Sequence, residues 1–315
     1  MANIARWIEL ISKQKYSCSY TFQLDGIGLL RQLQFEEFLY RKVAPVAERC
    51  LFFIVNNHSR TGSKAVVLGL AGKPQHFVKD VEETKARGIS LIRRFTGGGT
   101  VIVDECSVNT SVIASTRFAD KLSPTYICGW SFENVFRNSG IFNDRFVLIE
   151  GDFVVKNSNK LTPDERSRSH DNAQGDLEYH KVAGNSQAYN AKAFVHHTVF
   201  PWDISPLISE VLLHPEKAPD YRKGRKHTDF LRSIREALDP KQCINTINDF
   251  ENSLCKGIES ISSNKLDRHV HVTVSLDSAG ADDITNSLQS DSLSLSGDFI
   301  EQAISILDSP STMEY

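Results

Sequence analysis

The chain has 315 residues, 40% of them hydrophobic, a formal net charge of -3 and a pI near 6.4, which is enough apolar material to bury the core of one large domain or two modest ones. This charge balance excludes a dedicated nucleic-acid binder, because no segment reaches the sustained basic density that phosphate neutralisation requires. The cysteines (Cys18, Cys50, Cys106, Cys128, Cys243, Cys255) form no C-x-x-C pair and read as free thiols in a reducing compartment, while no apolar run has the length of a membrane span and no secretory signal is visible.

In chain order, "MANIARWIELISKQKYS" reads as an N-terminal helix, with a short mitochondrial targeting segment as the alternative. Leu30, Leu33 and Phe38 in "LLRQLQFEEFLYRKV" have near-helical spacing and predict an amphipathic packing helix. Two strand-like runs follow, "CLFFIV" and "AVVLGL"; "FVKDVEETKARG" reads as a helix closed by Gly88, and "ISLIRRF" and "TVIVD" as consecutive strands around a glycine run. "VNTSVIAS" adds a strand, "YICGWSFENVFRNSG" a helix ending at Gly140, and "RFVLIEGDFVVKN" a hairpin turning at Glu150 to Asp152. The polar segment "KNSNKLTPDERSRSHDNAQ" reads equally as a mobile lid or a disordered surface insertion. A second hairpin spans "KVAGNSQAYN" and "AFVHHTVFPWDI".

From Pro206 the pattern turns helical, through "PLISEVLL", "FLRSIREAL" and "INDFENSLCKGIES", with the basic "YRKGRKH" between the first two. Beyond "HVHVTVSL" the Ser- and Asp-rich stretch "DSAGADDITNSLQSDSLSLSGD" predicts disorder. The expected organisation is a main domain over 20–205, a small helical accessory region over 206–275 and a disordered tail over 276–315.

Familiar nucleotide motifs fail. "GLAGKP" has the wrong glycine spacing and final residue for a P-loop, and "GGGTVIVD" runs from glycine into β-branched residues rather than opening a helix as a dinucleotide fingerprint would. "GNSQA" approximates the G-x-S-x-G elbow but lacks its last glycine and sits in a strand-like run, which counts against Ser186 as a nucleophile. His269 and His271 can share one strand face, yet no cysteine or carboxylate stands at ligand spacing beside them, so two solvent-facing histidines are expected. His196 and His197 are adjacent and point to opposite sheet faces.

"RRFTGGGTVIVDE", residues 93 to 105, is the most informative stretch. Three glycines in an interior strand would cost entropy and pack nothing, whereas a bare turn lets backbone N–H groups converge on an anion and lets a ligand lie flat against the chain. Arg93 and Arg94 alternate on the strand, so one of them faces that ligand. About eighty residues later "KVAGNSQA" places Lys181 in an otherwise apolar strand, where a lysine is costly to bury without an anionic partner. By itself Lys181 reads equally as an edge-strand lysine directed to water.

The ordered set of a helix carrying Glu36 and Glu37, then "RRFTGGGTVIVD", "GDLEYHKVAGNSQA" and "FVHHTVF" resembles the catalytic domain of the lipoate-protein ligase A family, within the biotin and lipoate ligase superfamily. The likeness covers approximately residues 20 to 260. The family pattern is R-R-x-[ST]-G-G-G, then K-[IV]-x-G-x-A, then H-H-G. The resemblance implies an α+β fold, with a mixed, antiparallel-rich sheet packed with helices and a tunnel for a medium-chain acyl group. Carried over by position, it makes Lys181 the catalytic lysine. It places Glu36, Asn57, Arg94, Thr96, Gly97, Gly98, Gly99, Gly184, Asn185 and His197 around substrate and adenylate.

It further implies ATP and Mg2+ as cofactors, lipoate or octanoate as the acid, and transfer to a lysine of a lipoyl carrier domain, of a 2-oxoacid dehydrogenase complex or the glycine cleavage H protein. Neither nucleic acid nor membrane is implied as a partner, and the compartment, mitochondrial or cytoplasmic, stays open. Arg222, Lys223, Arg225 and Lys226 read either as a docking patch for an acidic carrier or nucleotide phosphates, or as a solvated basic turn.

This chain departs from the pattern at three places: Val103 and Asp104 stand where the family carries H-D, "HHT" replaces H-H-G, and "GNS" replaces G-S-A. Octanoyl and lipoyl transferases share the fold but need a thiolate beside the lysine, and no cysteine lies just before Lys181 or just after His197. That favours a ligase over a transferase. A non-catalytic acyl-binding homologue is the third reading; biotin ligases carry G-R-G-R-x-G-R-x-W in place of the triglycine.

Overall fold

The computed structural model describes residues 2–118, 122–157, 178–214, 218–276 and 282–315. Most of the polar segment expected as a lid or insertion, from 158 onward, lies outside the described residues.

Among the described residues nine strands form one large sheet: β1 (Cys18–Asp25), β2 (Cys50–Asn57), β6 (Ser107–Ser115), β7 (Phe146–Ile149), β8 (Asp152–Asn157), β9 (Glu178–Tyr189), β10 (Ala193–Pro201), β11 (Arg268–Ser275) and β12 (Ser292–Ser296). Their order is β12-β11-β1-β2-β6-β10-β9-β8-β7; the pairs among β12, β11, β1 and β2 are parallel and every other pair is antiparallel. A second sheet has the order β13-β4-β3-β5, from β3 (Ala65–Leu68), β4 (Ser90–Arg93), β5 (Val101–Val103) and β13 (Met313–Glu314). The fold is α+β with a mixed, antiparallel-rich sheet, as the resemblance implies.

The sheet is covered on both faces, which is why β2 and β6 are buried at every position. One face packs Phe52, Ile54 and Ile113 against α1 (Ala2–Lys13), whose Ile4, Trp7 and Ile11 are buried. The other packs Leu51, Phe53 and Val112 against the helical stretch that begins with α4 (Pro124–Ser131) and against α8 (Ile247–Lys265). Shorter helices complete the set: α3 (Val81–Ala86), α5 (Leu207–Val211), α6 (His227–Phe230) and α7 (Ile234–Ala237). Gly88 and Gly140, expected to end helices, both have positive φ.

Helix α2 (Leu29–Phe38) is buried on two sides rather than one. Leu29 and Leu33 meet Val67, Ile92 and Val103 of the small sheet, while Phe35 and Phe38 enter the core of the large one. Gln32, Gln34, Glu36 and Glu37 are therefore buried too, and each needs an internal partner.

Two expectations for the C-terminal third are overturned. The region over 206–275 is not an appendage: Phe250, Leu254 and Ile258 of α8 join the core of the large sheet, and β11 is one of its inner strands. Residues 282–315 are ordered rather than unstructured. Within the Ser-rich composition, "SLSLS" alternates with period two and buries Leu293 and Leu295, and α9 (Asp298–Ser305) buries Phe299, Ile300 and Ala303 against α2.

The last described segment is held by a carboxylate. Glu37, 0% exposed, accepts the backbone N–H groups of Ser311 (2.8 Å) and Thr312 (2.9 Å) and pairs with Arg41 at 2.7 Å. This aims Met313 and Glu314 at the edge of β4, where they pair with Arg93 and Ile92. Glu37→Ala strands two buried donors and is expected to cost about 2–4 kcal/mol, read from urea unfolding. Combined with deletion of 311–315 it should add little further loss, whereas fully additive losses would show that Glu37 acts elsewhere.

Candidate active site

The glycine run is a crossing. Strands β4 and β5 pair with β3, parallel and antiparallel respectively, and not with each other, so residues 94–100 must pass over the end of β3. At the crossing a Cβ on Gly69 would stand 2.3 Å from Gly98 O, so only glycine admits the loop there. Gly98 has φ +99°, and a Cβ on it would lie 3.0 Å from Arg94 Nη2 and 3.2 Å from Ser186 Cβ.

Arg94 holds this loop from inside. Its guanidinium, 4% exposed, donates to Thr96 Oγ1 (2.9 Å) and to the carbonyls of Gly97 (2.9 Å), Gly99 (2.8 Å) and, at 3.4 Å, Val67. Burial pushes its pKa down to about 10. Arg94 therefore spends its donors on the main chain rather than on a ligand. In a trans peptide C=O and N–H point opposite ways, so the inward carbonyls of Gly97 and Gly99 turn the N–H groups of Gly98 and Thr100 outward. Gly97, Gly98 and Gly99 are exposed, and the N–H of Gly97 is used by Gln187 O at 3.3 Å.

Beneath the loop a polar chain crosses the interior. Gln32 donates to Glu36 (2.8 Å), and Glu36 Oε2 lies 2.9 Å from His197 Nε2, out of line for a hydrogen bond. His197 Nδ1 reaches Thr96 Oγ1 (3.3 Å) and Ser186 Oγ (3.4 Å), which are 3.0 Å apart. Phe95 packs edge-on to the imidazole. Glu36, Arg94, Gly184, Asn185, Ser186 and His197 line the cavity that remains, about 30 Å³, room for a water or two.

A larger cavity of about 230 Å³ lies beside it and shares Val101, Gly184 and Val199 as a common wall. Gly99, Thr100, Lys181, Arg222 and His227 line it together with Ile208, Leu212 and Phe230. Lys181 thus faces the same space as the glycine loop. Its amine is 2.6 Å from Asp152 Oδ1, and Tyr221 OH donates to Asp152 Oδ2 at 2.8 Å. Burial and the carboxylate push the Tyr221 hydroxyl up, so it stays a donor. Asn185 ties the neighbouring turn by donating to Gly151 O at 2.9 Å.

Cys128 lies at that turn, 3.3 Å from Gly151 O, but burial, joined by the charge of Asp152, raises its pKa to about 12 against the smaller opposing effect of Lys181. It is a poor thiolate. The basic segment divides: Arg222 is buried over Phe230 and Arg225 binds the carbonyls of Tyr179 and Tyr221, while Lys223 and Lys226 are exposed.

One predicted site residue is elsewhere. Asn57 caps Ser59 and donates to Asn248 and Glu251 on the α8 face, outside both cavities. A strand alternates sides, so its neighbour Asn56 is the one that meets Gln32, at 3.0 Å. Asp152, Tyr221 and Gln32 were not singled out as pocket residues and Ser186 was weighed only as a nucleophile; Asp152 stands at the predicted hairpin turn, at the start of the strand that pairs with the one carrying the lysine.

His196 points away from His197, toward Phe153, as the alternation predicts. Its nitrogens have no partner among the described residues, and burial lowers its pKa from 6.5 to about 3, as it does for His58. Between about pH 6.5 and pH 3 the unfolded chain binds protons that the folded chain refuses, so stability is present above that window and falls as the pH drops through it. His196→Leu is expected to flatten this dependence, measured as the urea midpoint across a pH series; an unchanged slope would overturn the assignment.

The mixed sheet, the glycine crossing and a lysine on the far side of the shared cavity define the class II biotin and lipoate ligase-like fold. A bi-partite lipoate protein ligase of Thermoplasma acidophilum, described with its E2 lipoyl domain, superposes with TM-score 0.56 at 18% identity over 79% of this chain and 84% of that one. Lipoate-protein ligase A bound with ATP gives TM-score 0.53 at 19% identity over 79% and 86%. Residues 29–259 match the lipoyl protein ligase A/B catalytic domain, and the chain belongs to that family. A Plasmodium falciparum protein named inactive lipoate–protein ligase 2 is 31% identical over 291 residues, covering 80% of this chain and 72% of that protein.

Proposed function

We propose that the chain joins lipoate or octanoate to a lysine of a lipoyl carrier domain through an acyl-adenylate. The observation that carries this reading is that Lys181 and Gly99, from distant parts of the sequence, line one cavity. A carboxylate is a poor electrophile at neutral pH. Its oxygen attacks the α-phosphorus of ATP and pyrophosphate leaves; the carrier amine then attacks the acyl carbonyl and AMP leaves.

Lys181, Arg222 and the outward N–H of Thr100 suit an anion, and the lysine would stabilise charge developing on phosphate and carbonyl oxygen. To do so its amine must exchange Asp152 for substrate, so the aspartate sets how much of its charge is available. No described residue lining the cavity is a carboxylate, so magnesium would be held chiefly by the nucleotide phosphates, whose charge it would neutralise.

A second reading, a non-catalytic acyl-binding homologue, is favoured by the inner cavity. At about 30 Å³ it is too small for an octanoyl chain, being closed by Glu36, His197 and Arg94. The inactive relative supports the same reading.

Pyrophosphate release with ATP and lipoate, octanoate or biotin separates the readings. The ligase is expected to release pyrophosphate with lipoate or octanoate, and Lys181→Ala to lose about 100-fold or more of the rate. ATP-independent transfer from an acylated carrier would indicate a transferase, and neither activity the binding protein. Lys223 and Lys226 are the exposed half of the basic segment. Reversing both charges is expected to weaken carrier modification more than adenylate formation, and equal effects would remove them from carrier docking.

A further inference from the structure

The two histidines of β11 acquire, through the fold, the carboxylate that their local sequence lacks. His269 and His271 lie on one face of the strand, opposite the core-facing Val270 and Val272, and both are half-buried. Helix α8 crosses that face and brings Glu259 to them. A ring nitrogen of each histidine and a carboxylate oxygen of Glu259 all lie within 4.8 Å of one another. Donors about 2.0–2.1 Å from a tetrahedral zinc are about 3.4 Å apart, so the three need to close by no more than about 1.4 Å.

Hydrogen bonds engage one nitrogen of each ring and leave the other for a ligand. Arg60 pairs with Glu251, whose Oε1 accepts from Gln23 Nε2 at 2.9 Å. That leaves the Gln23 amide oxygen facing His271 Nε2 at 3.1 Å. An amide oxygen only accepts, so His271 carries its proton on Nε2 and its lone pair on Nδ1. His269 Nδ1 meets Ser19 Oγ at 2.7 Å, to which it can donate, while its Nε2 is buried with no hydrogen-bond partner among the described residues. Each ring is thus anchored through one nitrogen and left with the other for a ligand, as outer-shell partners orient metal-binding imidazoles.

We propose that Glu259, His269 and His271 form a site for a divalent transition metal, best suited to zinc, with water at the fourth position. The two borderline imidazoles select zinc or cobalt over the oxygen-seeking magnesium and calcium, and one carboxylate beside them is a ligand set that zinc accepts. The site lies on the α8 face of the sheet and shares no residue with either cavity, so it stands or falls apart from the ligase reading. Its ion would staple α8 to the strand that directly follows it, β11.

The full chain, free of any affinity tag and stripped with a chelator, is titrated with cobalt(II) and then with zinc. One equivalent of cobalt is expected to bind with the visible absorption of a four-ligand site and to be displaced by zinc. Glu259→Gln, which alters an exposed residue, and His271→Ala are expected to abolish that spectrum, and Gln23→Leu to weaken binding about 10–100-fold. Exposed His76→Ala is the control and should change nothing. Zinc should raise the unfolding temperature of the wild type but not of Glu259→Gln. No stoichiometric cobalt binding, or binding by Glu259→Gln equal to the wild type, overturns the proposal.

Discussion

Arg94 is a buried cation whose described partners are all neutral oxygens. Such a charge is tolerated only when its donors are satisfied, and the planar guanidinium satisfies several at once by gathering the carbonyls of a loop around itself. A lysine could not do this, since it offers a single point of charge. The loop conformation, the outward N–H groups of Gly98 and Thr100, and the need for glycine at 69 and 98 all follow from this one arrangement. Motif arginines are easily taken for ligand contacts; here the arginine builds the surface that a ligand would meet.

The shared wall between the cavities is equally constrained. A Cβ on Gly184 would come within 3.0 Å of Val101 Cγ1, so the wall is as thin as the chain permits. The polar groups stand on both sides of it, but unequally. On the inner side Glu36, His197, Thr96 and Ser186 crowd together and fill the space; on the outer side Lys181 faces a largely apolar-walled volume, paired with Asp152. Space is therefore concentrated in the outer cavity, beside a lysine whose one described ion-pair partner is Asp152.

The motifs were legible in sequence where a residue type has few other uses. Three glycines beside two arginines have no packing role, and this alone marked the crossing. Lys181 was legible only through the family resemblance, because a strand lysine by itself says nothing about which side it faces. Asn57 failed for the same reason: alternation decides between Asn56 and Asn57, and the sequence does not state the register. The C-terminal tail failed because serine-rich composition masked the alternation in "SLSLS" and because its anchor, Glu37, lies more than 270 residues away. Glu259 stayed invisible beside His269 and His271 because helix α8 delivers it through tertiary packing and not through local spacing.

Glu36 and Glu37 show how closely these features are joined. Consecutive residues on a helix point about 100° apart, so the two carboxylates address different neighbours. Glu36 turns to His197 and the polar chain under the glycine loop; Glu37 turns to Ser311 and Thr312 and so positions β13 on the edge of β4. Strand β4 leads directly into Arg94 and the glycines. Tyr315 adds to the clamp, its hydroxyl donating to Gly72 O at 2.7 Å while Arg93 lies over its ring. The glycine crossing is thus held from beneath by one glutamate and at its edge by the other. A displacement of α2 would disturb both supports together, which makes that helix the element through which the tail and the inner cavity are mechanically linked.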